Sequence, residues 1–205
     1  MSFEMTTQKD QIDLYLASGS PRRKELLAQT GVTFERIAAP VDETPLPGEK
    51  ARDYVLRLAH AKAESGWQAM IAQSLPVRPV LAADTTVVLG DAILGKPENA
   101  VDATQMLRLL SGSSHEVLTS LGLRHAGGVE VVLSTSVVHF AQLTDAQIAD
   151  YVASGEPMDK AGSYGIQGRG GLFVSRLEGS FTGVMGLPLH ETAVLLGKYG
   201  MGFLA

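Results

Sequence analysis

The sequence predicts a mixed-sheet α/β fold with a cleft, and three observations carry that prediction. Short apolar runs that read as strands alternate with segments whose apolar residues recur at helical spacing. A long hairpin over residues 115–141 interrupts the alternation, so the sheet has antiparallel as well as parallel neighbours. Glycine-rich polar residues over 154–171 ask for unusual backbone angles and close approach, which suits a functional loop better than a linker. At 205 residues the chain is long enough for one ordinary domain, or for two small lobes that share a cleft.

Taken in order, residues 1–13 read as a polar N-terminal extension without the apolar core of a signal peptide, leaving 14–205 as a single domain. Leu14, Tyr15 and Leu16 form a short buried strand and Ala17–Ser20 a tight turn. A helix follows from Pro21 to Gly31, with Ser20 as N-cap, Pro21 at N1 and Gly31 at C′. Val32–Ala38 reads as a strand, followed by a Pro-rich acidic segment. A helix starts near Lys50, with Tyr54, Val55, Leu58, Ala59 and Ala61 at helical spacing and Lys62 near its polar edge. Val80–Ala83 and Thr85–Leu89 are strand-like on either side of Asp84. Gly90–Ala92 reads as a turn, and Ile93 and Leu94 lead into Gly95-Lys96-Pro97.

The spacing then gives a helix over Ala100–Leu110 and a hairpin of strands His115–Leu123 and Val129–Ala141 joined through HAGG. Thr144 caps a helix from Asp145 to about Ala153. The glycine-rich loop occupies Ser154–Gly171, followed by a strand Leu172–Leu177, a turn Glu178–Thr182 and a last helix Leu187–Lys198 with Pro188 near its start.

The formal net charge of -5 gives no reason to expect membrane or nucleic-acid binding by the molecule as a whole, and no stable nucleic-acid complex is expected. A local basic site on an acidic protein favours a small anionic ligand. The absence of cysteine excludes disulfides, thiolate zinc sites and a cysteine nucleophile, and fits a reducing compartment. No apolar run approaches the ~18 residues that span a bilayer. A soluble, cytoplasmic protein is the expectation.

Five places carry chemistry. Arg22, Arg23 and Lys24 fall in the first turn of a helix, where each cation is disfavoured by roughly 0.3–1 kcal/mol, so a phosphate or carboxylate site is expected there, with a solvated basic turn as the alternative. Asp42 and Glu43 stand together on a loop held extended by Pro45 and Pro47, either as Mg²⁺ ligands or as plain surface. Asp84 carries a charge into an apolar strand and must have a cationic, metallic or hydrogen-bonding partner. It is a general base, a metal ligand or a carboxylate that pins a loop. Asp159, Lys160, Tyr164, Gln167 and Arg169 are distributed through the glycine-rich loop, which lacks the context of a dinucleotide fingerprint, and no P-loop occurs. Lys96 is held extended by Pro97, as a point charge for a phosphate or as a surface turn. His125 and His139 share no metal-ligand spacing with another His and read as structural or exposed.

The ordered set LASGSPRRKELL, VDETP, LAHAKA, AADTTV, GKP, SGSSHEVLT, DKAGSYGIQG and GLPL resembles the Maf family of nucleoside triphosphate pyrophosphatases from about Leu14 to the last helix. The resemblance implies an elongated mixed β-sheet flanked by helices, similar to the inosine-triphosphate pyrophosphatase fold, with the site between two lobes. It implies hydrolysis of a nucleoside triphosphate to the monophosphate and pyrophosphate, a divalent metal (Mg²⁺ or Mn²⁺) and commonly a homodimer. The family's SxSPRR element falls on Ser18, Ser20, Arg22 and Arg23, its acidic loop residue on Glu43, its phosphate-binding lysines on Lys62 and Lys96, and its proton acceptor on Asp84. Asp159 and Lys160 join the substrate-binding set, and Glu43 and Asp84 are the implied metal ligands.

Arg22, Thr85 and Gln167 match the branch similar to thymidine and uridine triphosphate pyrophosphatases; the 7-methylguanosine-triphosphate branch expects an aromatic, Gln and Glu there. A carboxamide accepts from N3-H and donates to O4 of uracil or thymine, so Gln167 suits a pyrimidine. A nucleotide-binding regulator of septum formation is the alternative from a different class. Phe181 departs from the tyrosine often found in the family.

Overall fold

The three buried residues Leu14–Leu16 begin the sheet as β1, and the chain leaves it through the turn that carries Ser18 and Ser20. The computed structural model describes residues 12–202; residues 1–11, most of the expected polar extension, lie outside the described residues. Helix α1 (Pro21–Ala28) starts as its sequence dictates, with the Ser20 side chain accepting from the backbone N-H of Arg23 and proline in the first turn. It ends earlier than glycine placement suggests. Gln29 is the C-cap, and Gly31 follows two residues on with φ +80°. The Thr30 hydroxyl donates to the Leu27 carbonyl at 2.7 Å, closing the helix end before the glycine is reached.

β2 is confined to Phe34–Arg36, shorter than the apolar run predicts, and α2 spans Ala51–Ala72. β3 (Val80–Leu89) runs unbroken through Asp84, so that residue interrupts the apolar pattern and not the strand. Ala92–Leu94 is not only a lead-in: it folds back antiparallel on β3 as β4, leaving Gly90 and Asp91 as the turn. Helix α3 (Ala100–Leu110) begins with the Asn99 side chain accepting from two backbone N-H groups, and α4 (Asp145–Ala153) with a complete capping box between Thr144 and Gln147. Between them lie the long hairpin strands β5 (Ser114–His125) and β6 (Gly128–Phe140).

The expected loop over Ser154–Gly171 contains three short 3-10 segments, Glu156–Asp159, Ala161–Ser163 and Arg169–Phe173, the last of which takes Leu172 and Phe173 out of the expected strand. β7 is therefore Val174–Glu178. The expected turn beyond it contains a short helix, α5 (Phe181–Val184), and α6 runs Leu189–Gly197 with Pro188 as its N-cap.

The sheet order is β2-β1-β3-β5-β6-β7, with β4 also paired to β3. β1 lies parallel to β2 and β3, and the remaining pairs are antiparallel, so the fold is the expected mixed α/β sheet. β5 pairs with β3 continuously from Val80 to Val88. The other edge of β3 is shared: β1 covers Val80 and Leu81, and β4 covers Val87–Leu89. Residues 82–86 thus have no strand partner on that side, and the sheet opens there.

The apolar cores follow the same division. One cluster gathers Leu14, Leu16, Leu26, Leu27, Leu81 and Leu121 around α1 and α6; another gathers Val87, Leu107, Val117, Phe140, Tyr151 and Tyr164 around α3, α4 and the glycine-rich segment. Between them the long strands carry a buried polar band of Asp84, Thr86, Thr119, Ser120, Ser134 and Ser136.

Candidate active site

The opening beside residues 82–86 is a cleft of about 1060 Å³, slightly above the usual range of small-molecule sites. Because successive strand residues face opposite sides of the sheet, the open edge lets both Asp84 and Thr85 line the same cleft. The turn after β1 and the start of α1 supply Ser18, Ser20, Arg22 and Arg23; the acidic loop supplies Glu43, α2 Lys62, the turn after β4 Lys96, and the glycine-rich segment Asp159, Lys160 and Gln167. These twelve residues therefore line one cavity, whereas Asp42 and Arg169, also singled out from the sequence, do not. Lys24 is exposed and does not line it.

At the floor, the Lys62 ammonium donates to Asp84 Oδ1 at 2.7 Å and lies 2.6 Å from Glu43 Oε1. The Lys62 and Asp84 side chains retain 12% and 9% of their exposure, so Lys62 leaves the polar edge of α2 for the interior and meets the charge that the apolar strand would otherwise expel. Glu43 is brought there by α2: the Tyr54 hydroxyl donates to the Glu43 carbonyl at 2.9 Å, and Arg57 donates to the Thr44 carbonyl while gripping Glu49. Burial acts to raise the Glu43 carboxyl, but the hydrogen bond from Lys62 and the charges of Lys62, Lys96 and Arg23 together outweigh it and hold the group below the ordinary range. Asp42 is separated from Glu43. Its carboxylate accepts from the Thr44 N-H at 2.9 Å in a local turn.

Arg23 is held on three sides, donating to the Gly186 carbonyl at 2.8 Å, to Thr85 Oγ1 at 3.1 Å and, more weakly, to Ser18 Oγ at 3.5 Å. Burial disfavours its charge, and Asp84 partly offsets that. Thr119 Oγ1 donates to the Gly183 carbonyl at 2.7 Å and lies 3.0 Å from Thr85 Oγ1. Each hydroxyl has one proton, so Thr85 must donate to Thr119 while accepting from Arg23. Arg22 crosses the cleft mouth to Asp159 at 3.2 Å, and Asp159 also takes the Lys160 ammonium at 2.5 Å. Lys96 is exposed and makes no ion pair among the described residues.

Sequence reasoning did not single out Tyr54, Arg57, Thr119 or Gly186. Thr119 had a visible signal, a small polar residue in the apolar run of β5. The others act through backbone carbonyls, which leave no side-chain signature.

A family model described as Maf-like protein matches residues 13–199. Among curated relatives, a dTTP/UTP pyrophosphatase of Chromobacterium violaceum is 56% identical over 187 residues, covering 91% of this chain and 94% of its own. A protein of the same name from Dechloromonas aromatica is 54% identical over 195 residues (91% and 97%), and one from Pasteurella multocida is 51% identical over 191 (91% and 96%). A solved structure of the Staphylococcus aureus Ham1 protein aligns with a TM-score of 0.49 at 13% identity, covering 91% of this chain and 98% of that one. The match across nearly the whole described chain, together with relatives of this identity, shows that the protein belongs to the Maf-like family.

Proposed function

We propose that this protein hydrolyses nucleoside triphosphates, dTTP and UTP foremost, to the monophosphate and pyrophosphate. The observation that carries the reading is the meeting in one cleft of a cationic wall, Arg22, Arg23 and Lys96, with the enclosed pair Lys62 and Asp84. The cations match a triphosphate in charge, and the enclosed carboxylate matches the need for a base beside it. The names of the relatives support the choice of pyrimidine nucleotides, as does Gln167 on the cleft wall, whose carboxamide complements N3-H and O4.

In this reading Arg23 and Lys96 hold the phosphates, and Lys62 spreads charge as it grows on the leaving pyrophosphate. Asp84 accepts the proton of a water whose oxygen forms the new bond to phosphorus as the α–β anhydride bond breaks. A divalent cation, Mg²⁺ or Mn²⁺, belongs to the proposal. Glu43 and Asp84 converge on one ammonium, a place that also suits a hard cation. Among the described residues no group of three His, Cys, Asp or Glu side chains is placed to hold a metal, which fits a cation that takes its remaining ligands from phosphate oxygens and water. When bound, the metal neutralises phosphate charge.

A cytoplasmic setting and a homodimer complete the proposal on family resemblance. Among the described residues no helix is long and apolar enough to cross a membrane, and light scattering on the purified protein reads the dimer directly. The deciding experiment incubates the protein with Mg²⁺ or Mn²⁺ and a nucleotide panel that includes 7-methyl-GTP. Pyrophosphate release with dTTP and UTP ahead of purines is expected; orthophosphate as the only product, or a preference for 7-methyl-GTP, rejects the reading.

A further inference from the structure

Gln167 sits on the cleft wall in a tight turn closed by the Gly168 N-H donating to the Gly165 carbonyl at 3.1 Å, a local bond that does not fix how the turn, and with it the carboxamide, is set against the rest of the molecule. Two side chains from outside the cleft surround that segment. Glu156 Oε1 accepts from the Gly170 N-H at 3.1 Å and from the Tyr151 hydroxyl at 2.9 Å, while Oε2 accepts from the Arg169 N-H at 3.0 Å. The Tyr151 hydroxyl in turn accepts from the Gly165 N-H at 3.0 Å. Three donors on one carboxylate and two bonds on one hydroxyl thus tie down the backbone on both sides of Gln167.

The glycines record how closely the segment is wrapped. A Cβ on Gly168 would come within 2.4 Å of Glu156 Oε1, one on Gly170 within 2.6 Å of the Tyr151 hydroxyl, and one on Gly165 within 2.7 Å of Lys160 Cε. Tyr151 is 1% exposed and packs edge-on against Phe173, so the hub is anchored in the core of α4. Burial acts to raise the Glu156 carboxyl, but the donors from Gly170, Arg169 and Tyr151 prevail and hold it below its ordinary range, keeping it an acceptor at neutral pH.

We propose that Glu156 and Tyr151 are positioning residues for substrate selection: the carboxylate and hydroxyl set the loop 165–170 and thereby aim Gln167 at the base. The proposal rests on the reading of Gln167 as the residue that meets a pyrimidine.

The test uses the full-length protein and the variants Glu156→Gln, Tyr151→Phe, Gln167→Ala and Glu156→Gln/Gln167→Ala. Steady-state kinetics are run with dTTP, UTP and dGTP, and hydrogen exchange follows the amides of residues 165–170. In Glu156→Gln and Tyr151→Phe, KM for dTTP rises about tenfold, the size of losing a hydrogen bond to a charged group, while kcat changes less than twofold. The preference for dTTP over dGTP narrows, and the loop amides exchange faster. The double variant is no worse than Gln167→Ala, because both changes remove one function.

Equal losses for all three nucleotides through kcat, or unchanged loop exchange, overturn the proposal. So does a preference lost in Gln167→Ala but kept in Glu156→Gln and Tyr151→Phe, which leaves the reading of Gln167 standing. If Gln167→Ala keeps the preference, the base-recognition reading fails first and the proposal goes with it.

Discussion

Asp84 shows how much one residue can state in a sequence. A carboxylate inside an apolar strand requires a partner, and the partner is Lys62, reached by a 2.7 Å bond from a helix 22 residues earlier in the chain. The requirement was legible; the identity of the partner needed the packing of α2 on β3. As the proposed proton acceptor, Asp84 changed to Asn should cut kcat by roughly 10²- to 10⁴-fold. The fold should survive, at a cost of about 1–3 kcal/mol, because Lys62 keeps Glu43 as its counter-ion. Pyrophosphate release beside a urea titration measures both, and an Asp84→Asn protein that retains turnover removes the carboxylate from the chemistry. Thr85 is a second case. The family resemblance marks it for selecting substrate; the structure places it in the cleft with its hydroxyl engaged by Arg23 and Thr119.

At the scale of elements, α2 positions the site, and it does so by lying unusually close to the sheet. A Cβ on Gly122 in β5 would fall 2.5 Å from the Ala59 carbonyl, and one on Gly66 would fall 2.8 Å from Val80 Cγ1. Neither glycine has a left-handed backbone, so close approach and not turn geometry explains them. Gly122→Ala should push α2 outward and destabilise the protein by about 1–3 kcal/mol. Lys62 lies one turn beyond Ala59, so activity in fully folded Gly122→Ala protein should fall at least several-fold. A variant that loses stability but keeps wild-type turnover per folded molecule would show that the close packing serves the fold alone. The boundaries of α3 and α4 were readable because capping residues and apolar period coincide there. β4 and α5 were not, because three- and four-residue elements are decided by neighbours and not by a period of their own.

For the whole molecule, the two largest apolar clusters and the polar band between them set both where the cleft lies and how the protein responds to acid. His115 is 2% exposed in the second cluster, with Nε2 2.8 Å from the Tyr164 hydroxyl and its ring edge-on to Phe140. Burial, aided by the nearby His139, brings its pKa down to about 4. The unfolded chain therefore takes up a proton near pH 6.5 that the folded chain refuses until about pH 4. Stability is full above the higher value and falls as pH drops between the two, by of order 3 kcal/mol. Denaturant titrations at pH 7, 5.5 and 4.5 should show this slope, and His115→Gln should flatten it; parallel curves for the two proteins would mean that other groups govern the acid limb. The sequence by itself determined the α/β class, the longer helices, the residues that carry charge into apolar surroundings and the ordered motifs of the family, because these depend on local periodicity, capping and composition. Only the tertiary structure decided that β1 and β4 leave the middle of one edge of β3 uncovered, that Lys62 turns inward, and that Glu156 and Tyr151 hold the loop of Gln167. Each of these depends on strand register, on side-chain pairing between distant elements or on hydrogen bonds to backbone groups far from any repeating pattern, and no local preference encodes which distant group will be the partner.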